Sequence, residues 1–218
     1  MNPPRIALVH ATPLAVQPVQ DAFARGWPAA LRMNLLDDSL SADLARDGRL
    51  GPAMVRRFEA LALYARDCGC DALLFTCSAF GPAIDAAARV CGLPTLRPNE
   101  AMFDEARVLD RPAALVASFE PSIASMRAEY EALQPTSALH TRFVPGAMQA
   151  LADGDAAAHD AAIADAVATL PPEVEVVMLA QFSMARAVTV AQARTRARVL
   201  TSPDCAVAAL RARLRSDG

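Results

Sequence analysis

Short apolar runs alternate with amphipathic stretches along the whole chain. The runs are built from Val, Leu, Ile and Ala with little polar alternation, as expected of strands covered on both faces. They predict strands near 5–9, 31–36, 72–76, 94–97, 112–117, 141–144, 174–180 and 198–201. Ala, Leu and Arg at helical spacing predict helices near 13–25, 52–67, 82–91, 99–108, 121–133, 155–169, 183–194 and 203–214. Strand and helix in strict alternation predict an α/β fold with parallel sheets.

The pattern repeats internally. Arg5-Ile-Ala-Leu-Val-His-Ala-Thr-Pro13 resembles Pro112-Ala-Ala-Leu-Val-Ala-Ser-Phe-Glu-Pro121: a strand, a small polar cluster, then a proline. Asp71-Ala-Leu-Leu-Phe-Thr-Cys-Ser-Ala-Phe80 resembles Glu175-Val-Val-Met-Leu-Ala-Gln-Phe-Ser-Met184, with Cys77 opposite Gln181. Two similar halves are expected, 1–97 and 98–202, with the last helix (203–218) returning to the first half.

Composition narrows the function. The 218 residues are 54% hydrophobic and only 5% aromatic, and their formal charge is -3. The 21 basic residues are scattered without an aromatic stripe, so no nucleic-acid partner is expected. No apolar run reaches membrane-spanning length and none near the start forms a signal-peptide core, so a cytoplasmic protein without a membrane partner is expected. The five cysteines (Cys68, Cys70, Cys77, Cys91, Cys205) have no metal-ligand spacing, which predicts free thiols and no metal. Gly81 is a lone glycine before a proline, and without a Gly-rich phosphate loop no nucleotide cofactor is expected.

Candidate chemistry gathers at four strand ends, where open parallel sheets bind ligands. They carry His10 and Thr12, Thr76-Cys77-Ser78, Ser118 with Ser122, and Gln181-Phe182-Ser183. Three are followed by Pro13, Pro82 and Pro121, residues suited to a first helical turn, whose N–H groups attract carboxylates. Such a helix start would favour the Cys77 thiolate; the alternative is a small residue filling a strand end. His10 is either an acid/base group or part of its loop. Asn34 either hydrogen-bonds a ligand at a strand end or forms an Asx turn. Asn99 with Glu100 is a helix cap with a first-turn carboxylate. His140 and His159 fall near expected surface loops. Phe80, Phe119 and Phe182 either face a ligand or pack in the core.

With these motifs, and with Asn34-Leu-Leu-Asp37, Thr76-Cys-Ser-Ala-Phe-Gly81, Pro98-Asn-Glu-Ala-Met-Phe103 and Leu179-Ala-Gln-Phe-Ser-Met-Ala185, the chain resembles the aspartate/glutamate racemase superfamily. That superfamily includes aspartate, glutamate and hydantoin racemases, maleate isomerase and arylmalonate decarboxylase. The resemblance implies two pseudo-symmetric parallel-sheet halves, a cofactor-free active site in the cleft between them, and a small carboxylate or amino-acid-like substrate. It implies one catalytic cysteine from each half, opposed as acid and base. Cys77 matches the first, and the second falls at Gln181, which carries no proton-transferring group near neutral pH. His10, Thr12, Asn34, Thr76, Ser78, Ser118, Gln181, Phe182 and Ser183 then stand as substrate-binding candidates. The implied activity is that of a racemase or isomerase acting at or next to an α-carbon. The alternatives are a decarboxylase of the same superfamily and a non-catalytic carboxylate-binding protein. A homodimer is the default for an enzyme of this size.

Overall fold

The computed structural model describes residues 3–134 and 139–216. The chain divides into two compact units, Met1–Pro98 with Ala206–Gly218, and Asn99–Cys205. In the first unit the elements run β1 (Arg5–His10), α1 (Val16–Gly26), β2 (Leu31–Leu36), α2 (Ser39–Asp47), α3 (Pro52–Asp67), β3 (Ala72–Phe75), α4 (Gly81–Cys91) and β4 (Thr95–Leu96). In the second they run α5 (Glu100–Leu109), β5 (Ala113–Ala117), α6 (Ile123–Leu133), β6 (Leu139–Phe143), α7 (Ala147–Ala152), α8 (Ala156–Ala168), β7 (Val176–Leu179), α9 (Val188–Gln192) and β8 (Arg198–Thr201). The final helix α10 (Ser202–Ser216) begins in the second unit and ends in the first.

Each unit holds one four-stranded parallel sheet, ordered β2-β1-β3-β4 and β6-β5-β7-β8. The two orders are the same, and the two-halved α/β fold expected from the sequence is present. All eight expected strands exist, and the central ones, covered on both faces, announce themselves as unbroken apolar runs. Ala72–Phe75, Ala113–Ala117 and Val176–Leu179 are buried at every position. Side chains alternate across a sheet. In the first unit Ala7, Val9, Leu73 and Phe75 point into a core with Met54, Phe58 and Ala62 of α3 and Ala83, Ile84 and Ala87 of α4. Phe58 anchors that core, 5.5 Å from the ring of Phe75 and 4.9 Å from that of Phe80. Gly92, at φ 69°, ends α4 in the left-handed conformation that a side chain would resist.

The strand ends differ from expectation. Each of the four is followed by a 3-10 turn before its α-helix: Pro13–Ala15, Ser78–Phe80, Glu120–Ser122 and Phe182–Ala187. Pro13 and Pro121 therefore sit in these turns, and only Pro82 lies in the first turn of an α-helix. The expected helix over 183–194 is the last of these turns followed by the five-residue α9. Helices α2 and α7 were not expected.

Candidate functional site

Strand register makes the internal repeat concrete. Val9 pairs with Phe75 in one sheet and Val116 with Leu179 in the other. One residue on, the Thr76 N–H donates to Val9 O at 3.1 Å and the Ala180 N–H to Val116 O at 2.9 Å. Cys77 and Gln181 are therefore equivalent residues, each two positions past its strand and each opening a 3-10 turn.

Cys77 is half-buried and packs against the core under Phe58 and Phe75. It lines a small recess with Val9, His10, Ala11, Leu40, Phe58 and Phe75, in which His10 is the one other titratable group. Burial pushes the thiol above its usual value, opposed by a smaller effect of the Ala79 N–H. The expectation that a helix start would favour the thiolate is corrected here. The three-residue turn aims one N–H at sulfur, and desolvation outweighs it. At neutral pH Cys77 holds its proton. Iodoacetamide labelling of Cys77, followed by peptide mass spectrometry, is expected to reach half its maximal rate at a pH above the ~8.5 of free cysteine. A midpoint at or below that value would mean that something in the site stabilises the thiolate more than burial opposes it.

Around Cys77 the first unit places several of the candidates together. His10 is fully buried, with Nδ1 2.9 Å from Thr76 Oγ1 and Nε2 3.1 Å from Asn34 Oδ1. Burial lowers the pKa of His10, against a smaller raising effect of the Asn34 hydrogen bond, so the ring is neutral. Asn34 is not at a strand end: it pairs with Leu8 inside β2, and its amide oxygen also accepts from Gln20 Nε2 at 2.9 Å. Gln20, on α1, carries no motif and was not foreseen. Thr12 caps its turn, its oxygen accepting the Leu14 N–H at 3.4 Å, and Ser78 is half-buried at the start of its own turn.

Gln181 organises the second unit's strand ends. Its amide oxygen accepts the Ser118 N–H at 2.7 Å and the Ser118 hydroxyl at 3.2 Å, while Nε2 donates to Ser122 Oγ at 3.0 Å. Ser122 in turn donates to Phe119 O at 2.8 Å. Phe182 and Ser183 are buried, Phe80 is buried, and Phe119 is exposed. Phe80 and Phe182 thus pack in the interior.

Two other expectations are corrected. His159 is fully buried on α8, not near the surface, with Nδ1 2.8 Å from Asp160 Oδ1, a carboxylate that also receives Arg186 Nε at 2.8 Å. The Ala-rich stretch around it is a packing helix, so its polar residues do not mark a loop. Asn99 occupies the N-cap of α5 without capping it; its Oδ1 accepts the buried Ser202 hydroxyl at 2.7 Å instead. The nearby Cys205 thiol is pushed up by burial first and by Glu105 next. All five cysteines are free, and among the described residues no cluster of three or more His, Cys, Asp or Glu could hold a metal. Among the described residues no helix is long and apolar enough to cross a membrane.

The two repeated α/β units, with polar strand ends bearing a thiol in one and an amide in the other, define the fold class; solved structures place it more closely. Allantoin racemase from Klebsiella pneumoniae superposes with a TM-score of 0.74 at 17% identity, covering 98% of this chain and 89% of that one. Glutamate racemase from Francisella tularensis, in complex with D-glutamate, gives 0.72 at 11% identity, covering 99% and 82%. A cysteine-substituted arylmalonate decarboxylase in a sulfate-associated form gives 0.67 at 19%, covering 95% and 92%. The chain has the fold of the aspartate/glutamate racemase superfamily, as its motifs suggested. No protein-family model matches the chain, and neither does a curated protein at a significant level.

Proposed function

We propose that the protein is a cofactor-independent enzyme of racemase or isomerase type, acting at the carbon next to a carboxylate, with Cys77 as its proton-transferring group. The observation that carries this reading is Cys77 itself: a thiol two residues past β3, kept protonated by burial, at the place the superfamily resemblance assigns to a catalytic cysteine. In exchange at the α-carbon the minor thiolate form takes the substrate's α-proton and then returns a proton to the carbanion, whereas the resting thiol can directly protonate a carbanion that loss of CO₂ has already generated. In the unit that carries Cys77, the hydroxyls of Thr12 and Ser78 with nearby backbone N–H groups are the natural holders of carboxylate or enolate oxygens, where charge stabilisation counts most.

A second reading is favoured by one observation. Gln181 stands where the superfamily resemblance implies a second thiol, and an amide moves no proton near neutral pH. Inversion removes a proton from one face and returns it on the other, so a single thiol suits decarboxylation followed by one-sided protonation. The test is incubation in D₂O with glutamate, aspartate, allantoin and an arylmalonate. Deuterium uptake at the α-carbon without inversion supports a one-thiol site. CO₂ release from the malonate selects the decarboxylase reading, and no exchange, inversion or CO₂ from any of them would leave carboxylate binding without turnover.

A further inference from the structure

On the first sheet, Thr76 and His10 lie on the face opposite Phe75 and Val9, so the chain they form runs behind the strand end from which Cys77 projects. The Asn34 oxygen that His10 Nε2 approaches at 3.1 Å also accepts from Gln20 Nε2 at 2.9 Å. With the Asn34 and Gln20 amides oriented this way, the ring nitrogen facing the Asn34 oxygen is the one that carries the proton. A neutral ring protonated at Nε2 has a bare Nδ1, able only to accept. The single Thr76 hydroxyl proton has two acceptors in reach, Nδ1 at 2.9 Å and Val9 O at 3.4 Å. The shorter one takes it.

We propose that His10 is a positioning residue that acts through Thr76: its bare Nδ1 takes the Thr76 hydroxyl proton and fixes the end of β3 that presents Cys77. This rests on the reading of Cys77 as the proton-transferring group. Residue 76 is then tied to β1 twice, by its N–H to Val9 O and by its side chain to His10, immediately before the chain leaves the sheet. The same commitment leaves the Thr76 hydroxyl with no proton for a substrate carboxylate. Carboxylate recognition in this unit falls instead to Thr12, whose oxygen accepts the Leu14 N–H and whose own proton stays available, and to Ser78.

Two side chains separate this role from simple packing. In His10→Asn the side-chain oxygen can stand near the Nδ1 position and accept from Thr76. In His10→Gln the amide reaches the Nε2 position, serves Asn34 and leaves Thr76 without its acceptor. The expected result is a roughly 10–100-fold fall in kcat for His10→Gln, of the size that misplacing a reacting group produces, with KM little changed and substantial recovery in His10→Asn. Adding Thr76→Val to His10→Gln should cost no more than Thr76→Val alone. A two-bond ¹H–¹⁵N spectrum of ¹⁵N-histidine protein, with His10 assigned by its loss in His10→Asn, should show Nδ1 bare and Nε2 protonated. A proton on Nδ1, equal losses in the two His10 variants, or additive losses in the double variant would overturn the proposal. If the wild type turns over no substrate, the Cys77 reading falls, and the labelling rate of Cys77 carries the same contrast. A rate shifted in His10→Gln and retained in His10→Asn supports positioning, and equal rates overturn it.

Discussion

Cys77→Ser is expected to lower α-carbon exchange by about 10²–10⁴-fold, the range that general acid–base groups contribute. Serine nearly preserves the volume of cysteine, and Cys77 is only half-buried, so the core built on Phe58, Phe75 and Phe80 should hold. Its hydroxyl is a far weaker acid than even the burial-raised thiol, so it forms too little of the anion to take the α-proton and is a poor donor for returning one. The measurement is the exchange rate in D₂O beside a denaturant midpoint. A folded variant that keeps the wild-type rate would move the chemistry away from Cys77. A variant that loses both rate and midpoint would be decided by Cys77→Ala, in which a folded, inactive protein restores the assignment.

The second large effect is a gain. Gln181→Cys is expected to add inversion to exchange, raising the ratio of inverted to exchanged product by at least ~10-fold, the lower part of what a positioned acid or base supplies. Register makes residue 181 the counterpart of Cys77, so the substitution gives the second unit a thiol at the position equivalent to Cys77 in the first. It also removes the amide oxygen that accepts both the Ser118 N–H and hydroxyl, leaving those donors to a substrate oxygen or water. That loss should cost roughly 1–3 kcal/mol of stability if the freed donors stay dry, and less if water reaches them. Chiral chromatography of product formed in D₂O reads the ratio. A folded Gln181→Cys protein with unchanged stereochemistry would show that the equivalence of the two positions has no catalytic meaning.

The parts of this fold legible in the sequence are those whose residues answer to one dominant force. Strands such as Ala113–Ala117 are buried on both faces, and nothing but apolar side chains suits them. Helix α2, Ser-Leu-Ser-Ala-Asp-Leu-Ala-Arg-Asp, offers only Leu40 and Leu44 to the core and otherwise has the composition of a turn. It holds its place through Arg57 of α3, which donates to Asp43 at 2.6 Å and to Asp37 at 2.5 Å, and no local pattern announces such partners. Helix α7 has six residues, too few to stand without tertiary support. The candidate site divides the same way. Cys77 was visible as a motif, and Gln181 as its counterpart in the repeat. The state of the Cys77 thiol was not, because desolvation depends on what surrounds it. Nor were the hydrogen-bond partners of His10, which lie 24 and 66 residues away in the chain.

Helix α10 has a consequence for the order in which the chain is made. The first unit lacks a piece until Ala206 and the residues after it are synthesised; Val207 then meets the backbone at Gly26, and Arg211 donates to Gly26 O across 185 residues. The second unit is continuous from Asn99 to Cys205 and closes over far shorter loops. On the ribosome, which delivers domains in order from the N-terminus, the half carrying Cys77 begins first yet completes last.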